Sequence, residues 1–164
     1  MSDPAPAFSR GVRIGLDVGA VRVGVARSDL DGLLATPVET VSGDRPVQLR
    51  RILEIVRELE PVGVVVGLPR QLSGAEGQAA ATAREYAQVL ARECVPVPVR
   101  LVDERLTTVS AHQALHRSGR PGRRHRSVVD QVAAVMILQA ALDQERRTGQ
   151  PAGELVDHEL EAQS

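Results

Sequence analysis

Four acidic residues stand at the edges of apolar segments in this chain. They are Asp17, the adjacent pair Asp103 and Glu104, and Asp130. Burying a carboxylate is costly unless a cation or hydrogen bonds compensate its charge. If the fold brings these groups together, two of them at roughly 4 Å repel by about 4 kcal/mol at an effective dielectric near 20. A hard divalent cation, Mg²⁺ or Mn²⁺, would remove this conflict, so the pattern predicts a metal site.

Each of these acids also has a purely structural interpretation. Asp17 could cap a tight turn, because Gly19 follows it closely. One acid of the 103–104 pair could bind Arg105 while the other begins a helix, where a negative charge is favoured. Asp130 could close a capping box with the serine three residues before it. The residues alone leave both interpretations open.

Arginine is the only basic residue type other than histidine in the chain, and it is concentrated in one segment. Residues 105–129 carry six arginines and no acid, although the formal net charge of the whole chain is only -1. The guanidinium group matches phosphate geometry, and a Pro-Gly pair at 121–122 indicates a loop. We predict that this segment binds nucleic-acid phosphates, the alternative being a solvated loop. The candidate substrate-binding residues are Arg105, Arg120, Arg123, Arg124 and Arg126.

Composition restricts the class of protein. The 164 residues include 43% hydrophobic ones, enough for the core of one domain. Phe8 and Tyr86 are the only aromatic residues, which argues against aromatic stacking platforms for single strands. A single cysteine, Cys94, excludes an intramolecular disulfide. With no signal peptide or membrane span recognisable in the sequence, we expect a cytoplasmic protein that does not bind membranes.

The periodicity of apolar residues changes from strand to helix along the chain. Residues 12–18, 21–27 and 33–41 alternate as three antiparallel strands, and a helix follows from residue 44. Next come a buried strand at 62–66, a helix at 73–90, a second buried strand at 95–102, a helix at 107–118 and a last helix at 127–143. This order predicts an α/β fold with a mixed five-stranded sheet, three antiparallel strands and then two added by helical crossovers, and helices on both faces. The domain should span residues 11–147, between a flexible N-terminus at 1–10 and a flexible acidic tail at 148–164.

Four ordered motifs span most of the chain. They lie at residues 14–19 with 24–26, at 65–69 with Gly74, at 102–108, and at 129–130 with 133–134. Together they resemble the YqgF, or RuvX, family, described as pre-16S rRNA nucleases and Holliday-junction resolvase-like proteins with the RNase H fold. The resemblance covers about residues 11–143. A shorter match, Asp-x-Gly followed by Gly-x-Ala, also resembles the first phosphate motif of actin-like ATPases, which need two such domains.

The resemblance implies metal-dependent hydrolysis of phosphodiester bonds. Asp17, Glu104 and Asp130 would be catalytic ligands of Mg²⁺ or Mn²⁺, with Asp103 a supporting residue beside Arg105 or a bound water. The nucleic-acid partner would be pre-16S rRNA, matured at its 5′ end during ribosome biogenesis. The alternatives are a Holliday-junction resolvase that cuts branched DNA and a non-catalytic RNA-binding factor in ribosome assembly. We expect a monomer or a homodimer.

Overall fold

The computed structural model describes residues 9–106 and 123–157, of which residue 106 and residues 123–128 are described by their backbone alone. The strands are β1 (Arg13–Val18), β2 (Val23–Ser28), β3 (Ala35–Val41), β4 (Gly63–Leu68), β5 (Val99–Asp103) and β6 (Glu154–Leu155). The helices are α1 (Arg45–Leu59), α2 (Gln78–Glu93) and α3 (Arg123–Thr148), and a single 3-10 turn covers Glu104–Leu106. No helix in these two described ranges has the length and apolar character needed to cross a membrane.

The strands form one mixed sheet in the order β3-β2-β1-β4-β5-β6. The first three strands are antiparallel neighbours, β4 is parallel to β1, and β5 is parallel to β4. Helices α1 and α2 form the crossovers that enter β4 and β5. The predicted α/β fold is therefore confirmed, and the carboxyl ends of β1, β4 and β5 lie at one edge of the sheet, where α/β proteins gather ligands.

Alternation along the strands divides the core into two faces. The first face packs on α1 and α2, with Ile14, Leu16, Val64, Val66, Ile52, Ile55 and Leu90 among its members. The second face packs on α3, with Ala26, Val65, Val102, Ala133, Ala134, Ile137 and Leu138 among its members. Helices thus cover both faces, as predicted. A residue's place in a strand decides which helices its side chain meets.

Three glycines leave room for α3 on the second face. A Cβ atom at Gly15 would lie 2.6 Å from the Cβ of Leu138, and one at Gly67 would also collide with this helix. At Gly24, a Cβ would collide with the main-chain carbonyl of Asp130 itself. The missing side chains therefore allow the backbone of α3 to lie directly on β1 and β2, and the side chain of Ile137 to lie on β4.

The C-terminal segment corrects one prediction. Residues 148–164 were expected to form a flexible tail, but β6 pairs antiparallel with β5. Ala152 joins the core under α3, and Val156 joins the core of the opposite face. These two apolar residues anchor an otherwise polar segment, so the described part of the tail belongs to the fold. It adds a sixth strand to the five that were predicted.

Two helix starts also differ from the prediction. The spacing of Ser73 and Glu76 predicts a capping box for a helix that begins near residue 73, but α2 begins at Gln78 after Gly77 and has no side-chain cap, so this prediction is wrong. Glu76 instead accepts a hydrogen bond of 2.7 Å from Arg84. Helix α3 begins at Arg123 rather than at residue 127, so its chain is helical well before Asp130. The predicted helix at 107–118 lies outside the described residues.

Candidate active site

Asp17 lies near the carboxyl end of β1 on the face that α3 covers. It is paired with Gly24 across β1 and β2, and α3 occupies the space where Gly24 has no side chain. Burial first, and then the negative charges of Glu104 and Asp130, raise the pKa of the Asp17 carboxyl from 3.8 to about 7. Both acids therefore lie close enough to Asp17 for their charges to act on it, and the main chain of Asp130 lies on Gly24, the partner of Asp17 in the sheet.

Alternation along β5 distinguishes the two adjacent acids. Val102 packs under α3, so Asp103 points to the opposite side and Glu104 returns to the face of Asp17. Glu104 is only 4% exposed, and a Cβ at Gly67 would lie 2.8 Å from its Oε1. Burial, followed by the charge of Asp103, raises the pKa of the Glu104 carboxyl to about 7. Glu104 is therefore the acid of this pair that faces the candidate site.

Asp103 is engaged with arginines instead. Its Oδ1 accepts from the backbone N–H of Arg105 at 2.9 Å, and its Oδ2 accepts from Nη2 of the same residue at 2.7 Å. Arg70 lies 3.6 Å from Oδ2 on the other side. These contacts, led by the hydrogen bond from the Arg105 side chain, lower the pKa of the Asp103 carboxyl. The geometry matches the expected partnership of Asp103 with Arg105.

Asp130 approaches the site from α3. Its main chain is seated on Gly24, and the next residue, Gln131, donates from Nε2 to Oγ1 of Thr40 on β3 at 3.1 Å. Its Oδ2 accepts a hydrogen bond of 2.9 Å from Nε of Arg22. Because the helix starts earlier than predicted, Asp130 does not cap it. The capping-box interpretation of this residue is therefore wrong.

The predicted phosphate-binding arginines are only partly described. Arg105 extends from the edge of the site and contacts Asp103, with a third of its side chain exposed. Arg120 lies outside the described residues. Arg123, Arg124 and Arg126 form the first turns of α3 rather than the predicted loop, and their side chains lie outside the described part.

The sequence did not reveal Arg22 or the residues that fix its turn as part of the candidate site. Gln48 of α1 is buried and donates from Nε2 to the carbonyl of Val21 at 2.6 Å. Arg45 donates from Nη2 to the carbonyl of Gly19 at 2.9 Å. The only local signal was the position of Arg22 between two glycines, five residues after Asp17. Its contact with Asp130 joins residues 108 positions apart, which no local pattern reveals.

The acids on the α3 face suit a divalent cation by their chemistry. Mg²⁺ and Mn²⁺ prefer carboxylate oxygens, and a cation would relieve the repulsion that raises the pKa of Asp17. As they stand, no three His, Cys, Asp or Glu residues within 9–106 and 123–157 are close enough together to hold an ion. The carboxylate of Asp130 is engaged with Arg22. Binding a cation through all three acids would therefore require their side chains to adjust.

Comparison with known proteins identifies the family. Residues 11–144 match the family described as "RuvX: Holliday junction resolvase". The chain belongs to the RuvX family. A Streptomyces coelicolor relative named "Putative pre-16S rRNA nuclease" is 57% identical over 153 residues, which are 93% of this chain and 92% of the relative. A Nocardioides sp. relative of the same name is 59% identical over 152 residues, 90% of this chain and 97% of the relative.

Solved structures support the fold of this RuvX-family chain. A structure described as "T. thermophilus RuvC in complex with Holliday junction substrate" superposes with a TM-score of 0.53 at 21% identity. The match covers 86% of this chain and 99% of the RuvC chain. This likeness confirms the RNase H-like fold.

Proposed function

We propose that this RuvX-family chain is a metal-dependent nuclease that hydrolyses phosphodiester bonds and matures the 5′ end of pre-16S rRNA. The observation that carries the proposal is that Glu104 and Asp130 both raise the pKa of Asp17, on the face of the sheet that α3 covers. The names of the relatives support pre-16S rRNA as the substrate. The proposed setting is the cytoplasm, and the active form is a monomer or a homodimer.

The three acids have a common role in this proposal. Asp17, Glu104 and Asp130 hold Mg²⁺ or Mn²⁺ at the carboxyl edge of β1 and β5. A divalent cation at this position supplies positive charge that stabilises the developing negative charge on the reacting phosphate. Asp17 is the central ligand in this proposal because the charges of both other acids raise its pKa.

Arginines complete the site around this centre. Asp103 accepts hydrogen bonds from the backbone N–H and the guanidinium of Arg105. The positively charged Arg105 side chain is therefore held beside Glu104 and faces solvent. Arg105 then binds a flanking phosphate, together with Arg120, Arg123, Arg124 and Arg126. Contacts of this kind orient the nucleic acid without reading its sequence.

Junction-cleaving activity is the second candidate. The family description and the RuvC-like fold favour it, and a centre that acts on phosphate does not distinguish RNA from DNA. A non-catalytic role in ribosome assembly would need neither Asp17 nor Glu104. These alternatives differ in what happens when a single acid is replaced.

The test compares cleavage of an RNA containing the 5′ end of pre-16S rRNA with cleavage of a four-way DNA junction, in Mg²⁺ and in Mn²⁺. Asp17→Asn and Glu104→Gln should lose more activity than the roughly 10–100-fold that supporting residues typically contribute. Asp103→Asn, the matched control, should retain a measurable fraction because it changes an acid outside the metal set. Wild-type cleavage by Asp17→Asn would refute the site, and preferential cutting of the junction would favour the second candidate.

A further inference from the structure

Arg22 contacts Asp130, one of the three acids, and the proposed function assigns it no role. Its Nε donates to Oδ2 of Asp130 at 2.9 Å, and each of the two side chains is 24% exposed. Arginine carries five N–H donors in a planar fork, and this contact uses one of them. The guanidinium therefore lies at the opening of the site with donors left for a further acceptor.

The main chain around Arg22 is held firmly in place. The carbonyl of Arg22 accepts from the N–H of Gly19 at 2.8 Å and closes the turn between β1 and β2. From α1, Arg45 binds the carbonyl of Gly19 and Gln48 binds the carbonyl of Val21. A solvent-exposed ion pair typically contributes little to stability, so stability alone does not explain why three hydrogen bonds hold this turn. The turn instead keeps a positive charge at a fixed place beside Asp130.

This placement has opposite consequences for a cation and for a phosphate. A cation held by Asp130 would be next to the positive charge of Arg22, and the two would repel each other. A phosphate is negative, and the guanidinium fork matches its oxygens. Phosphate bound between Arg22 and a cation would remove the repulsion, so each ligand would bind better when the other is present.

We propose that Arg22 is a phosphate-binding residue of this site and that it couples the binding of the cation to the binding of a nucleic-acid phosphate. The inference rests on the proposed function for the identity of the site. Arg22 weakens cation binding in the empty site and strengthens it in the site that holds a phosphate. Coupling of this kind is reciprocal, so it can be measured from either ligand.

The experiment measures Mn²⁺ binding to the full-length protein by isothermal titration calorimetry, with and without saturating uridine 5′-monophosphate. This nucleotide offers a phosphate and has no phosphodiester bond to cleave. The variants are Arg22→Ala, Arg22→Lys and the matched control Arg51→Ala, which removes an arginine of α1 from its ion pair with Glu39 of β3. Thermal melting checks that each variant is folded, and Arg22→Gln replaces Arg22→Ala if the latter melts early.

Arg22→Ala should bind Mn²⁺ alone about 3–10-fold more tightly than the wild type. The nucleotide should strengthen Mn²⁺ binding to the wild type several-fold, within the range of about 5–150-fold usual for coupled sites, and should have little effect in Arg22→Ala. Arg22→Lys should keep part of the coupling, because it retains the charge and loses the fork. Arg51→Ala should match the wild type in both titrations.

Two results would overturn the coupling while leaving the proposed metal site intact. Weaker Mn²⁺ binding by Arg22→Ala would mean that Arg22 only orients Asp130, and an unchanged effect of the nucleotide would mean that it binds no phosphate. A different result identifies a failure of the proposed function. If the wild type and Asp17→Asn bind Mn²⁺ equally, or if neither binds it, the acids hold no cation and both proposals fall.

Discussion

The two faces of the sheet are packed in different ways. On the face covered by α1 and α2, the strands contribute valine, isoleucine and leucine side chains to the larger of the two cores that the described residues form. On the face covered by α3, many of the buried residues are alanines, and Gly15, Gly24 and Gly67 contact the helix without side chains of their own. Large side chains fill one face, and a closely seated helix fills the other.

This difference separates stability from positioning. Burial of apolar area scales with side-chain size, so the α1 and α2 face should supply most of the hydrophobic stabilisation. Small residues on the other face supply less, but they bring the main chain of α3 against β1 and β2. The main chain of Asp130 can lie against Gly24, the partner of Asp17 in the sheet, because Gly24 has no side chain. A change in the first face should therefore affect folding, and a change in the second should affect the site.

The largest loss of stability is expected on the α1 and α2 face. Ile52 is 1% exposed, so Ile52→Ala should lower the free energy of unfolding by about 2–5 kcal/mol through the cavity it leaves. Val47→Ala on the same helix is the matched control, because Val47 is 45% exposed and should cost about 0.5 kcal/mol or less. Urea denaturation measures both. Cleavage per folded molecule should be unchanged, and a specific loss of activity in Ile52→Ala would contradict the separation.

A smaller loss of stability with a large loss of activity is expected at Gly24. A Cβ there collides with the carbonyl of Asp130, so Gly24→Ala should cost about 1–3 kcal/mol as α3 is displaced. A displacement of about 1 Å should reduce cleavage by roughly 100-fold. Gly63→Ala in β4 is the control, since its Cβ would have its nearest neighbour at 3.9 Å. Equal cleavage by the two variants would show that the close seating of α3 is unimportant.

The sequence was sufficient for most of the fold because the decisive signals were local. Alternation defined the antiparallel strands, and the change to helical spacing after residue 44 located α1. Strand β6 could not be predicted, since Glu154 pairs with Leu101 far away in the chain. Only Ala152 and Val156 indicate that this polar segment has a buried side, and two small apolar residues make a weak pattern.

The sequence analysis singled out the acids of the candidate site but not Arg22. Asp17, Glu104 and Asp130 are recognisable because a carboxylate at the edge of an apolar segment needs an explanation. The choice between Asp103 and Glu104 required the register of β5, which places Val102 under α3. Identifying Arg22 required knowing how α3 packs on β2, and this tertiary contact produces no periodic pattern in the sequence. Local chemistry thus predicts the charges of the site, while its geometry depends on how the two faces are packed.

The smallest effect should come from Asp17 in the metal-free protein. Its pKa is about 7 in the folded state and 3.8 as an ordinary value, so the folded state binds this proton more tightly than the unfolded state. Stability is then fully present below about pH 4 and is lost as pH rises toward 7, when the buried carboxyl ionises. Asp17→Asn has no such ionisation and should not show this loss.

Urea denaturation in a chelator at pH 5 and at pH 8 measures the difference. Water reaches the partly buried Asp17 and relieves some of the penalty, so Asp17→Asn should exceed the wild type by about 1 kcal/mol at pH 8 and by less at pH 5. Ile52→Ala should show the same pH dependence as the wild type, because it alters only the opposite face. A constant difference in the free energy of unfolding between Asp17→Asn and the wild type at both pH values would mean that neighbouring groups do not destabilise the ionised form of Asp17. In that case the α3 face would position the acids without the repulsion that a cation is expected to relieve.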